Sequence, residues 1–500
     1  MKFTEPGTLK LAALAVPVLL LGACTVGPDY VKPAVDMPAA YTEMNGWKPA
    51  EPRDHDTGGP WWTIFKDPLL DSLQEQVSVS NQNLAQAEAR YRQALALVQS
   101  ARAGYSPTVT GGVSFTRSRA SSTTIAQPTS APVSRGVVET RNLPFNAAWE
   151  ADVWGKIGRA VEANVAGAQA GAADLAAARL SAQAQLAQNY FQLRALDAQK
   201  QLLEDTLAGY EKSLQLSQNQ YQAGIVSRAD VVLARTQLKS TQAQAIDLGV
   251  QRAQLEHAIA LLAGKPASGF SIPRAPLAAV PPAVPAGLPS ELLERRPDIA
   301  AAERRVAQAN AQIGIAKSAW FPSFTLSAGT GFQSATAAQW LTAPSRFWSI
   351  GPALAETLFD GGLRRAQSDQ AIAAHELSVS AYRQTVLTGF QEVEDNLAAL
   401  RILEQEAQAQ QEAVQSSRQS LALTLNQNKA GTVSYLNVIT VQAAALANER
   451  TAVDILGRRL AASVLLVKAL GGGWNNAGLP SARQTGSRDP VANPSDTGNP

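Results

Sequence analysis

The sequence predicts a mixed fold, long antiparallel coiled-coil helices running directly into short membrane-type strands, with the whole arrangement written twice along the chain. Three observations predict it. The stretch "NKAGTVSYLNVI" at 428 to 439 repeats the pattern of "YQAGIVSRADVV" at 221 to 232, which sets Gly224 and Gly431 207 positions apart. Each copy interrupts a long polar, Ala-rich passage; the first runs from Gly155 to Tyr221 without a proline, enough at ~1.5 Å per residue for a rod of roughly 100 Å. Upstream of each passage lie two segments in which apolar and polar residues alternate, the period-two mark of strands.

Composition fits rods better than one thick core: 45% of the 500 residues are apolar, and Ala dominates that share. The net charge of +2 comes without any basic block, which makes nucleic acid a poor partner. Residues 1 to 23 read as a signal peptide, with Lys2 and Lys10 around a short n-region, the apolar run "LAALAVPVLL" and small residues before Cys24. Cys24 is the only cysteine, so no intramolecular disulfide forms. Its "LGAC" context resembles the bacterial lipobox, which implies a diacylglyceryl thioether and an acylated amine, two signals that together anchor a chain stably. The alternative is an ordinary secretory signal with a cysteine near the cut. Thr25, where an Asp would argue for retention at the inner membrane, points to the outer membrane by likeness to bacterial lipoproteins. Beyond the signal no run of 18 apolar residues occurs, so the mature chain can cross a membrane only with strands.

Residues 24 to 66, rich in Pro and aromatics, read as a lipidated extended arm. The first repeat, 67 to 264, opens with a helical stretch ending at Gly104 and continues into Val109, Gly111, Val113 and Phe115 of one alternating segment and Leu143, Phe145, Ala147 and Trp149 of the next. Leu203, Leu207, Tyr210, Leu214 and Tyr221 then fall on a coiled-coil seam. After the turn a second helix runs from 227 to Gly264, a fitting C-terminal residue. Residues 265 to 289 form a Pro-rich linker. The second repeat, 290 to 473, has the same order: a shift of 215 aligns Leu84 with Ile299 and Pro107 with Pro322, and its alternating segments hold Phe324, Leu326, Ala328 and Phe332, then Trp348, Ile350, Pro352 and Leu354. Pro144 and Pro352 leave the register open, since Pro cannot donate to a ladder. Residues 474 to 500 read as a disordered tail.

Four strands cannot close a membrane barrel, which needs eight or more, and lipid tolerates no open edge. Either several chains join, or the strands form a soluble sheet capping a coiled coil. The segments "LGACTVGPDYVKP", "WEADVWGKIGRA" with "LFDGGLRRA", "ERRPDIAAAERRVAQANAQIGIAKSAWFP" and "YLNVITVQ" resemble the TolC-like outer-membrane factors, specifically NodT-type lipoproteins of resistance-nodulation-division efflux systems, over nearly all of residues 20 to 475. The resemblance implies a homotrimer in which a twelve-strand transmembrane β-barrel is continuous with a periplasmic coiled-coil α-barrel. It also implies a periplasmic adaptor and an inner-membrane pump as partners, and outer-membrane lipid around the barrel.

A passive conduit needs no catalytic group, cofactor or metal. His55, His257 and His375 are scattered without ligand spacing, and no phosphate-binding loop is visible, so an enzyme is not expected. By resemblance, the start of the second hairpin's returning helix constricts the periplasmic mouth at Leu436, Asn437 and Thr440. Relatives often carry Asp at the last two positions; here both are neutral, and Leu436 is equally well read as a coiled-coil seam residue. At Asn428 and Val433, where some relatives place a latching Tyr and Arg, this chain also departs. The hairpin tips, Ala223, Gly224, Ile225 and Val226 with Ala430, Gly431, Thr432 and Val433, are expected to meet the adaptor; a tight turn alone also explains their small residues. The expected function is efflux of drugs or other small toxic compounds. Type I protein secretion, a periplasmic adaptor and a non-conducting scaffold lipoprotein are the alternatives, the adaptor disfavoured by two hairpins and two strand pairs in one chain.

Overall fold

The computed structural model describes residues 25–36, 38, 40–44, 60–119, 121, 136–282, 284 and 291–486; the signal peptide, Cys24, part of the arm with His55, the end of the linker and the last 14 residues lie outside them. After a short helix α1 (Pro68–Ser80), each half of the chain contributes three helices of matched length. In the first half α2 (Gln82–Ala103) has 22 residues, α3 (Lys156–Gln222) 67 and α4 (Arg228–Leu262) 35. In the second, α5 (Pro297–Ser318), α6 (Leu363–Lys429) and α7 (Tyr435–Ala469) have 22, 67 and 35. None of the described helices is long and apolar enough to cross a membrane.

Both long helices start at a glycine in the left-handed region, Gly155 and Gly362, preceded by an acid that satisfies their first N–H groups. Asp152 accepts from Ile157 N at 2.8 Å and Gly158 N at 2.7 Å. Asp360 accepts from Gly362 N and Arg364 N, and the Arg364 guanidinium beside it holds its carboxyl below the ordinary value. An acid at a helix N-terminus also meets the positive end of the macrodipole. These contacts are the physical content of the "WEADVWG" and "LFDGG" motifs.

The shorter helices stack end to end. Asn81 caps α2 by accepting from Asn83 N and Leu84 N, while its Nδ2 donates to Leu262 O, at the end of α4, at 2.8 Å. In the second half Arg296 stands at the matching position and donates to Ala469 O, at the end of α7, at 3.1 Å. The abutment is close enough to require glycine: a Cβ on Gly264 would lie 2.2 Å from Ser80 O, and one on Gly471 2.0 Å from Arg295 O. Each half therefore holds one unbroken rod beside one made of two abutting helices. The four rods form a single layer, ordered α2, α3, α5, α6 at the strand end and α4, α3, α7, α6 at the turn end.

The main core lies where the helices abut. Tyr190, Phe191, Leu193, Val393 and Leu397 are buried there beneath Trp61, Trp62 and Phe65. On the same side of the layer, buried charges pin the chain's irregular segments. Asp197 bridges Arg194 and Arg252 at 3.1 and 2.7 Å, and those guanidiniums donate to Pro273 O and Ile272 O of the linker. The matching Arg401 of α6 grips Glu43 of the N-terminal arm, and Glu394 accepts from Thr42 N and Glu43 N.

The strands β1 (Thr108–Gly111), β2 (Ser114–Ser118), β3 (Val138–Glu150), β4 (Ser323–Ser334) and β5 (Arg346–Ala355) form one antiparallel sheet, β1 and β2 both pairing with β3. β1 and β2 keep a single register along β3 and so act as one strand. The interruption falls opposite Pro144, which accepts from Gly112 N at 3.1 Å and has no N–H to return. Pro144 pairs with Gly331 on its other side, where a Cβ would meet Leu143 O at 2.2 Å, and Pro352 pairs with Leu326 on the edge strand β5.

Two expectations are corrected. Leu203 and Tyr210 are buried, but the seam continues to Ser217, and Tyr221 is exposed because it lies opposite the reversal rather than opposite α4. The described part of the expected tail, 474–486, is ordered: Arg102 donates to Ala482 O and Gln169 to Pro480 O, and Thr485 is buried against the helices. Its polar composition concealed backbone carbonyls that cap side chains of α2 and α3.

Candidate channel mouth and membrane belt

The two reversals are built identically. At the first, Ile225 N donates to Gln220 O at 2.8 Å and Gly224 N to Tyr221 O at 3.0 Å; at the second, Thr432 N donates to Gln427 O and Gly431 N to Asn428 O, both at 3.0 Å. This is the Schellman pattern, in which a glycine with positive φ satisfies the last helical carbonyls. Gly224 and Gly431 have φ of 72° and 75°, and neither has a neighbour within 4 Å of a notional Cβ, so conformation rather than crowding selects glycine. The exits differ. Ser227 forms a capping box with Asp230, whereas Ser434 has no side-chain cap and Asn428 Nδ2 donates to Val433 O at 3.0 Å instead. Ala223, Gly224 and Ile225, like Ala430, Gly431 and Thr432, are exposed, with Val226 and Val433 half-buried beside them.

Leu436, Asn437 and Thr440 share one exposed face at the start of α7, and Thr440 Oγ1 donates to Leu436 O at 3.0 Å. The coiled-coil reading of Leu436 fails within the chain: it is 53% exposed, while Val438 is 1% exposed and holds the seam with Ala445 and Leu446. Tyr435 turns toward α3, where burial pushes its hydroxyl above the ordinary pKa against an opposing hydrogen bond with Ser213. The exposed face continues as Ala444, Ala447, Thr451, Asp454 and Arg458, and Arg458 pairs with Glu406 at 3.4 Å. Asp454 and Arg458 were not singled out by sequence; only their spacing from Thr440 along α7, 14 and 18 residues, could have found them.

At the opposite end, the sheet sorts its residues by face. Opposed residues of antiparallel strands share a face, so the register stacks Val109, Ala147, Ala328 and Ile350 in one row, with Phe145, Trp348, Trp149, Leu326, Phe324 and Leu354 around it. Most of these are exposed. The other face carries Thr110, Asn146, Gly329 and Ser349, with Asn142 and Gln333 farther along. An apolar outside and a polar inside are what a membrane barrel wall requires. Trp154 Nε1 donates to Pro322 O at 2.7 Å and stacks on Phe321, which ties the wall to the helices.

Residues 73–265 and 288–472 match the family described as Outer membrane efflux protein. The chain belongs to the outer membrane efflux protein family. It is 30% identical over 470 residues, covering 94% of this chain and 98% of the other, to the pyoverdine export outer membrane protein OpmQ of Pseudomonas aeruginosa. It is 29% identical over 477 residues, covering 93% and 96%, to the toluene efflux pump outer membrane protein TtgC of Pseudomonas putida. The solved outer-membrane channel OprN superposes with a TM-score of 0.83 at 31% identity, over 90% of this chain and all of that one. The open state of the Neisseria gonorrhoeae MtrE channel gives 0.78 at 26%, over 91% and 99%. The rods and the sheet are thus the α-barrel and β-barrel parts of a TolC-like outer-membrane efflux channel. Cys24 lies outside the described residues.

Proposed function

We propose that three copies of this efflux protein close into one conduit, twelve strands through the outer membrane and twelve rods below it. The conduit would carry small toxic compounds passively from a periplasmic adaptor and an inner-membrane pump to the exterior. The observation that supports it most is that the helical layer and the sheet are open at matching edges. On one side α4 exposes Ile246 and Val250 below the free edge of β1 and β2; on the other α6 exposes Leu377 and Leu387 below the free edge of β5. Unpaired strand edges cannot face lipid, and four strands per chain make a membrane barrel only when copies are added. The relatives named for toluene and pyoverdine export support a small-molecule cargo.

In this reading Leu436, Asn437 and Thr440 line the narrowest point, and the two small-residue tips receive the adaptor. A lipid on Cys24 is supported by the arm: Val26 N donates to Trp154 O at 3.1 Å, beside the foot of the strands, where an acyl chain reaches the inner leaflet. The test of the conduit is single-channel recording on the purified assembly together with its mass. A monomer, or an assembly without conductance, would sink the proposal. Mass spectrometry of the mature N-terminus tests the anchor, with an unacylated terminus counting against it.

A further inference from the structure

The outward face of the sheet changes character at its loop end. Register sets Arg141 opposite Phe115, Arg117 opposite Glu139 and Arg346 opposite Phe332, all on the face that carries Phe145 and Trp149 nearer the helices. Within the strands, three guanidiniums and one carboxylate therefore cap the apolar belt on its outer side, a net +2 over these positions of each chain. Their internal pairing is incomplete. Glu139 is shared between Arg141, at 3.0 Å, and Arg117, at 3.6 Å, and the Arg117 side chain remains 66% exposed. Arg346 has no ion pair with any described residue and is exposed. Arg141 also lies over the Phe115 ring at 4.8 Å, which holds its charge at the edge of the apolar surface.

Charges at a membrane boundary need only be hydrated to be tolerated, and either sign would serve. An excess of unpaired guanidinium is more specific, because its planar fork matches phosphate oxygens two at a time. We propose that this band binds the phosphate groups of anionic lipids in the outer leaflet surrounding the barrel. Arg117 and Arg346 supply the forks that face phosphate, Glu139, shared with Arg141, orients Arg117, and the acyl chains lie along Val109, Ile350 and Trp348. The proposal rests on the apolar face being the lipid-facing wall.

Native mass spectrometry of the full-length assembly, titrated with phosphatidylglycerol and with phosphatidylcholine of the same acyl chains, tests it. The wild type should retain the anionic lipid preferentially. Replacing Arg117, Arg141 and Arg346 with Gln should weaken that retention by about fivefold per guanidinium removed. Arg346→Gln alone, which loses no ion pair with a described residue, should give its share of the loss if the triple variant folds poorly. Equal retention of both lipids, or an unchanged triple variant, would overturn the proposal. Displacement of the lipid by inorganic phosphate at equal concentration would also overturn it, since a lipid held by chains as well as phosphate resists that competitor. Single-channel conductance of the same preparations separates the two readings: a wild type that prefers anionic lipid without conducting defeats the conduit and leaves the lipid band standing.

Discussion

Arg296 shows how much one side chain can carry. It is buried, pairs with Asp298 and Glu392 at 2.6 Å each, and caps the end of α7 through Ala469 O, a cation at the negative end of a helix. Burial alone would weaken its charge; the two carboxylates outweigh that and raise its pKa. Arg296→Met keeps most of the volume but removes these bonds, and should cost roughly 2–3 kcal/mol, the range for a charged hydrogen bond lost from a buried site. Urea unfolding of the purified protein would measure it, and an unchanged midpoint would contradict the assignment. "ERRPDI" was legible as a landmark, but nothing local reveals that its second Arg reaches a carbonyl 173 positions away. The neutral pair Asn437 and Thr440 belongs to the same scale. Asn437→Asp with Thr440→Asp should raise the cation/anion permeability ratio of the channel, strongly at 0.1 M salt and little at 1 M, because the screening length shrinks from about 10 Å to about 3 Å. A ratio that does not move at either salt would mean that the constriction lies elsewhere.

The reversals are elements whose form follows from short sequence. Glycine, helix-ending carbonyls and a following Ser lie within a few residues of one another, which is why both turns and the long helices around them could be read in advance. Isoleucine at Gly224 or Gly431 would have to occupy positive φ, a strain of about 1–3 kcal/mol. Spread over a rod of 67 residues, that should leave folded protein nearly unchanged in a melting experiment while impairing export in a susceptibility assay, since a reshaped tip no longer admits a partner closely. Normal resistance with Ile at both sites would reduce the tips to connectors. Strand alternation was equally legible, whereas the abutting helix ends were not. Asn81 and Arg296 differ in type and size yet both donate to the last carbonyl of the abutting helix, so a comparison of the two halves by residue identity passes over them. The described tail, 474–486, departs from expectation for a related reason: its composition predicts disorder, and its order comes from carbonyls, which composition does not record.

At the scale of the molecule, the open edges decide what the chain can be on its own. Ile246→Glu with Val250→Glu introduces charge on the free side of α4, where both residues are now exposed; within a chain the change costs little, but between copies it buries two unpaired carboxylates. Light scattering in detergent should then report single chains in place of an assembly, and an unaltered mass would remove α4 from the interface. The N-terminal arm adds a constraint of length. From Val26, held at the foot of the strands, to Glu43, held by Arg401, there are 17 residue steps, which span at most ~56–61 Å when fully extended. Along α6, from Leu363 to Arg401, the 38 steps of helix cover ~57 Å. The two holds of the arm are therefore set apart by close to the reach of the chain between them, a tether with little slack that measures the distance from the strands to the waist. Deleting three residues between 31 and 36 shortens its reach by about 10 Å, and one end must let go. Proteolysis should then cut near Glu43 while the end at Val26 stays with the strands, whereas an insertion of the same size should pass unnoticed: the chain can hang loose between its two holds, but it cannot be stretched between them.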